Sequence, residues 1–189
     1  MGSDNHSVCP WWIGYLLACP LRKMLQDPEK ILKPYVKEGM TVLDIGSAMG
    51  FFSLPMAELA GEKGKVICVD LQEKMIASLI KRAKKKGLAE RIETLLCSVS
   101  SLLIDGLKDK IDFALASAVL HEMRDDKRVL TEVYCALKPG GILLITEPAG
   151  HVSEEAFKKT LAAAKEAGFS YEQYRTIGKS FEVVLRKNK

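Results

Sequence analysis

Five cysteines are scattered through 189 residues with no CxxC pair among them. That spacing disfavours a disulfide framework and suits a reducing cytoplasm. Apolar runs are short as well. The segment Trp11 to Cys19 is the one candidate membrane or targeting element. It falls well below the ~20 residues a spanning helix needs, and Pro20, Arg22 and Lys23 close it. No basic stretch precedes it, so it makes a poor signal peptide. A net charge of +4 is mild for this length. The densest basic run, Lys81 to Lys86, has no interleaved aromatics and reads as a solvated helix end before Gly87. Nucleic-acid and membrane partners are therefore not expected. Repeats, low-complexity tracts and a second domain are all missing, and one domain spans residues 1–189.

What is present is alternation. Short apolar runs suited to strands cover Thr41–Ile45, Lys65–Val69, Ile92–Leu96, Phe113–Ala116 and Ile142–Glu147. Helical patterns lie between them, over Pro28–Lys37, Phe51–Ala60, Gln72–Lys86, Asp126–Leu137 and Ser153–Ala167. Ser153 is a candidate N-cap, with Glu154 and Glu155 in the first turn. Two last strands, Tyr171–Ile177 and Phe181–Leu185, flank Gly178 and suit an antiparallel hairpin. The expected fold is α/β: a Rossmann-like, doubly wound sheet of seven strands, mostly parallel, with an antiparallel C-terminal hairpin. Residues 39–189 would form the core, and residues 1–38 a helical segment over it.

The run Val42-Leu-Asp-Ile-Gly-Ser-Ala-Met-Gly50 carries the most chemistry. A buried strand breaks there into a loop, where Gly46 and Gly50 let the backbone turn and approach a ligand. Asp70 ends the second strand, where an acid can accept hydrogen bonds from both ribose hydroxyls. A dinucleotide would want G-x-G-x-x-G and a pyrophosphate on a helix N-terminus. Here the spacing is G-x-x-x-G, and Asp44 would repel a pyrophosphate but bind an ammonium group. S-adenosylmethionine has no phosphate, an amino-acid end and a positive sulfur, and it suits this loop.

Four motifs stand in order: Thr41 to Gly50, Val69-Asp70, Phe113-Ala-Leu-Ala-Ser-Ala-Val-Leu-His-Glu122, and Leu137-Lys-Pro-Gly-Gly-Ile-Leu-Leu-Ile-Thr-Glu-Pro148. On these the chain resembles the class I S-adenosylmethionine-dependent methyltransferases over Gly39 to Leu185. It is most similar to the small ubiquinone/menaquinone-biosynthesis-like and arsenite-methyltransferase-like members. The resemblance implies methyl transfer to a small-molecule acceptor. It places Asp44, Gly46, Ser47, Ala48 and Gly50 along the methionine and ribose. Asp70 would hold the ribose, Leu71 would pack on adenine, and Cys97, Ser98 and Val99 would end the adenine pocket. The stretch with Ser117 would pass beside the methyl group, with His121 near the substrate. Two positions depart from the family pattern. Ala48 replaces a middle glycine and asks for φ < 0, and Ser98 stands where an acid often contacts the adenine amino group.

The candidate catalytic residues are His121, Glu147 and His151. A near-neutral imidazole suits proton removal from a nucleophile, although His121 reads equally well as a packing or capping residue. All three histidines fall in segments that could reach one cleft. His6, Cys9 and His151, with Glu147, would suit a zinc or iron ion, so a divalent metal is a second expectation. Cys9 could instead be a nucleophile, a gate for a soft substrate, or a small buried hydrophobe. Arsenite-methylating members use several cysteines, and only Cys9, Cys19 and Cys97 could serve here. Trp11, Trp12, Tyr15, Phe51 and Phe52 would wall the pocket with aromatics or anchor the N-terminal helix. That helix supports a homodimer as readily as a lid. The alternative to an enzyme is a non-catalytic module that binds S-adenosylmethionine, a metal or a metallocofactor. Methylation of RNA amino groups is weaker still, because the fourth strand lacks an Asn/Asp-Pro-Pro-Tyr motif.

Overall fold

The structure, a computed structural model, describes residues 26–178 and 180–188. His6, Cys9, Trp11, Trp12, Tyr15, Cys19 and the expected N-terminal helix lie outside the described residues, and so do the lid, dimer and three-residue metal readings that rest on them.

In chain order the elements are α1 (Pro28–Leu32), β1 (Thr41–Ile45), α2 (Ser53–Ala60), β2 (Lys65–Asp70), α3 (Glu73–Lys85), β3 (Ile92–Leu96), β4 (Ile111–Ser117), α4 (Asp126–Ala136), β5 (Leu137–Pro148), α5 (Glu154–Glu166), β6 (Phe169–Ile177) and β7 (Ser180–Lys187). The seven strands form one sheet in the order β3-β2-β1-β4-β5-β7-β6. Pairing is parallel from β3 to β5, and antiparallel from β5 through β7 to β6. The expected hairpin forms, and its second strand inserts between β5 and β6.

Sheet alternation divides the core into two layers. Val42, Val66, Cys68, Phe113, Leu115 and Leu144 face α1, α2 and α3. Leu43, Ile45, Ile67, Val69, Leu143 and Ile145 face α4 and α5. Fully buried on both faces, β1, β2 and β4 need near-continuous apolar sequence, which is why they read as unbroken hydrophobic runs.

Several boundaries differ from the sequence reading. The α1 helix ends at Leu32, not Lys37, because Pro34 has no N–H to donate to the next intrahelical bond, although Lys33 keeps helical backbone angles. The turn Lys138-Pro-Gly-Gly141 lies within β5 as an irregularity: Leu137 pairs with Ile111, and pairing resumes at Ile142 with Phe113. Arg186 Nη1 holds Gly140 O at 2.6 Å and Lys187 Nζ holds Leu137 O at 2.8 Å, so side chains of β7 staple the irregular stretch. Ser153 caps α5 as its sequence suggests, accepting from Ala156 N–H at 3.1 Å.

Candidate active site

The carboxyl ends of β1, β2 and β4 open onto a cleft at the point where strand order reverses, the position at which such sheets bind ligands. It encloses about 1020 Å³, part of it open solvent. Of the residues expected along a cofactor, Asp44, Gly46, Ser47, Ala48, Asp70, Leu71, Cys97, Val99 and Ser117 line it. Gly50 and Ser98 do not. The Gly50 N–H closes a turn onto Ser47 O at 2.9 Å, and Gly50 sits against Leu54 and Leu79. Ser98 folds into a turn: its N–H donates to Ser101 O at 2.9 Å and its hydroxyl to the same oxygen at 3.3 Å. Turned aside in this way, Ser98 leaves that end of the cleft to Cys97 and Val99.

The β1 loop is held by the end of β2. The Gly46 and Ser47 N–H groups both donate to Val69 O, at 2.8 and 3.0 Å. Ala48 N–H donates to Asp70 Oδ2 at 2.8 Å, while Asp70 Oδ1 accepts from Gln72 N–H at 2.8 Å. Ala48 overturns its sequence expectation. Its φ is +45°, in the left-handed region. An L-residue there is strained by about 1–2 kcal/mol, and the Asp70 bond offsets part of that strain. Gly46 (φ +69°) is required sterically, since an added Cβ would lie 2.5 Å from Val119 Cγ2.

Asp44 and Asp70 are both buried. Desolvation pushes the Asp44 carboxyl up to about 7, and the hydroxyl of Ser53, 2.5 Å from Oδ2, partly opposes the rise. Desolvation also raises Asp70, against the pull of its backbone donors. Glu122 adds a third carboxyl group to the lining, and among the described residues no lysine or arginine lines the cleft. The Ser47 hydroxyl is buried there without a hydrogen-bond partner. The rest of the wall is soft and apolar: Phe51, Phe52, Met75, Leu102, Val119 and Met123. Phe51 and Phe52 meet edge to face at 5.1 Å. The Cys97 thiol is pushed up to about 11 by burial first and by Asp70 second, so it stays protonated and poorly nucleophilic.

The three catalytic candidates form a group of their own. His121 Nδ1 lies 2.7 Å from Glu147 Oε2. Glu147 Oε1 accepts from Leu120 N–H at 2.9 Å. The rings of His121 and His151 meet edge to face, with centroids 5.9 Å apart. The sequence reading put the Glu147 carboxylate at the mouth of the cleft. It is instead 2 % exposed, and neither it nor His121 nor His151 lines the cleft. The period-2 alternation of β5 turns Glu147 to the α4–α5 face with Leu143 and Ile145, while its neighbour Thr146 donates its hydroxyl to Ser117 Oγ on the opposite face at 2.9 Å. Of the expected metal set, only His151 and Glu147 are among the described residues. Among the described residues no group of three His, Cys, Asp or Glu side chains could hold a metal ion.

The sequence reading reached Ala118, Val119 and Glu122 only as part of the stretch after the fourth strand, and it did not single out Ile45, Gln72, Met75, Leu102 or Met123 as cleft residues. Met123 continues that same stretch, so the signal that placed its neighbours extended to it.

A family model described as a methyltransferase domain matches residues 36–184. The chain belongs to this family. With its strand order and its cleft, it is a class I S-adenosylmethionine-dependent methyltransferase. Over 112 residues it is 30% identical to ubiquinone/menaquinone biosynthesis C-methyltransferase UbiE of Escherichia coli, a match spanning 59% of this chain and 44% of that protein. The match thus covers less than half the length of these curated relatives. A SAM-dependent methyltransferase from Aquifex aeolicus superposes with a TM-score of 0.84 at 29% identity, over 95% of this chain and 100% of that one. An arsenic(III) S-adenosylmethionine methyltransferase from Chlamydomonas reinhardtii superposes at 0.65 and 21% identity, over 82% and 65%, a likeness of fold.

Proposed function

We propose that this methyltransferase moves a methyl group from S-adenosylmethionine to a small organic acceptor. The observation that carries the reading is the acidic character of the cleft: the carboxyl groups of Asp44, Asp70 and Glu122 face it, and among the described residues no lysine or arginine does. Such a wall attracts a ligand bearing an ammonium and a positive sulfur. It repels phosphates, and with them nucleic acid. The buried, unpartnered Ser47 hydroxyl adds a polar group that a ligand can satisfy.

The bound cofactor would supply an electrophilic methyl group on a positively charged sulfur. Asp70 would accept from the ribose hydroxyls while keeping Ala48 and Gln72 in place. Asp44 and Ser47 would hold the amino-acid end, and Leu71, Cys97 and Val99 would flank the base. Phe51, Phe52 and Met123 would keep water from the reacting centre, and a cationic sulfur near aromatic faces gains further attraction. In-line transfer depends on alignment more than on covalent help. Where the acceptor carries a proton, His121 is the base we assign, with His151 edge-on beside it.

The curated relatives are C-methyltransferases of ubiquinone/menaquinone biosynthesis, which supports a small organic acceptor here. No described helix is long and apolar enough to cross a membrane, and the dispersed cysteines support a cytoplasmic setting. The test is turnover. Purified protein with S-adenosylmethionine and a panel of quinols, phenols, thiols and arsenite should release S-adenosylhomocysteine with one class and not without acceptor. S-adenosylhomocysteine binding without turnover on any class would favour the non-catalytic module.

A further inference from the structure

Two observations around the β4 loop converge on one buried side chain. Ala118, Val119, Glu122 and Met123 of the loop after β4 line the cleft beside Gly46. Its Val119 is packed so tightly on Gly46 that no Cβ fits between them. Ala118 takes φ +53°, which a non-glycine residue holds only under constraint. The constraint is visible: Ala118 N–H donates to Thr146 O at 2.8 Å, and Leu120 N–H to Glu147 Oε1 at 2.9 Å. The same carboxylate then reaches His121 with its other oxygen.

We propose that Glu147 is a positioning residue that acts in two directions, orienting His121 and pinning Val119 against the cofactor loop at Gly46. A carboxylate on Nδ1 fixes the imidazole with its proton on that nitrogen and leaves Nε2 as the basic atom. Its other oxygen holds the Leu120 amide, one residue from Val119, so the loop cannot retreat from Gly46 without breaking a buried charge-assisted hydrogen bond. One buried side chain outside the cleft lining thereby couples His121 to the contact between Val119 and Gly46. The cofactor half of this inference rests on the function proposed above.

The groups facing His121 are Glu147, Glu122 and His151. Its hydrogen bond to Glu147 holds the imidazole above its ordinary value, against desolvation. Ligand-free protein is titrated by NMR of the histidine ring protons, and S-adenosylhomocysteine affinity is measured by calorimetry. Glu147→Gln keeps an acceptor for Leu120 N–H but loses the charge. It should lower the His121 midpoint by about one pH unit or more, with affinity within about twofold of wild type. Glu147→Ala should weaken the ligand about five- to tenfold, and Val119→Ala should weaken it in the same direction. An unmoved His121 midpoint in Glu147→Gln overturns the first role. Wild-type affinity in Val119→Ala overturns the second, and that variant decides alone if Glu147→Ala does not fold. A wild-type protein that fails to bind S-adenosylhomocysteine would refute the cofactor reading, while the His121 titration still judges the pairing with Glu147.

Discussion

On the β1–β2 side of the cleft, Gly46 and Ser47 lean on Val69 O through their own amides, and Ala48 and Gln72 donate theirs to Asp70. Across the cleft, on the β4–β5 side, side chains carry more of the load: Ser117 with Thr146, and His121 with Glu147. A backbone scaffold tolerates many side chains but few conformations. A side-chain scaffold fails with a single substitution yet can be retuned by one. The first suits a cofactor shared across a family, and the second an acceptor that differs among its members.

The sharpest way to break this comparison is at Asp70, whose carboxylate takes two of that side's backbone amides. Asp70→Ala removes the acceptor for two backbone amides and, on the proposed function, for a ribose. S-adenosylhomocysteine affinity should fall about a hundredfold or more by calorimetry, with the far-ultraviolet circular dichroism spectrum unchanged. Retained affinity would mean that the loop holds itself and that Asp70 is no ribose ligand.

Gly46→Ala attacks the seam between the two sides. A methyl group in a left-handed position, driven into Val119, should cost about 2–3 kcal/mol in chemical denaturation. A smaller loss would show that the β4 loop yields easily.

Asp44 sharpens the electrostatic half. Its folded carboxyl binds a proton more tightly than in the unfolded chain. Its contribution is therefore present at low pH and lost as pH rises through about 7. Ligand-free protein should lose roughly 1.4 kcal/mol of stability from this group between pH 6 and pH 8. His121, also raised, acts in the same sense. The difference between wild type and Asp44→Asn across that range isolates the Asp44 share, and equal pH profiles would contradict it.

The smallest effect belongs to Ala48→Gly. It relieves the left-handed strain and should raise stability by about 1 kcal/mol or less, the gain being reduced by glycine's larger entropy in the unfolded chain. A loss of stability would show that the Ala48 methyl packs usefully.

Much of the β1–β2 side was legible in the sequence because its signals are local. An apolar run, two glycines and an acid about twenty residues on describe a strand, a loop and a strand end through contacts between near neighbours. Ser153 announced its helix for the same reason. Tertiary structure decided what depends on distant partners. Ala48 is left-handed because Asp70 holds its amide. Ser98 leaves the cleft because Ser101 captures it. Thr146 and Glu147 are adjacent in sequence, yet strand alternation sends one to the α1–α3 face and the other to the α4–α5 face. The pairing of His121 with Glu147 spans 26 residues and two strands. Sequence fixes which residue types arrive at the carboxyl ends of the strands. Register and face then select which of them meet a ligand and which hold others in place, since both are set by pairing between strands far apart in the chain.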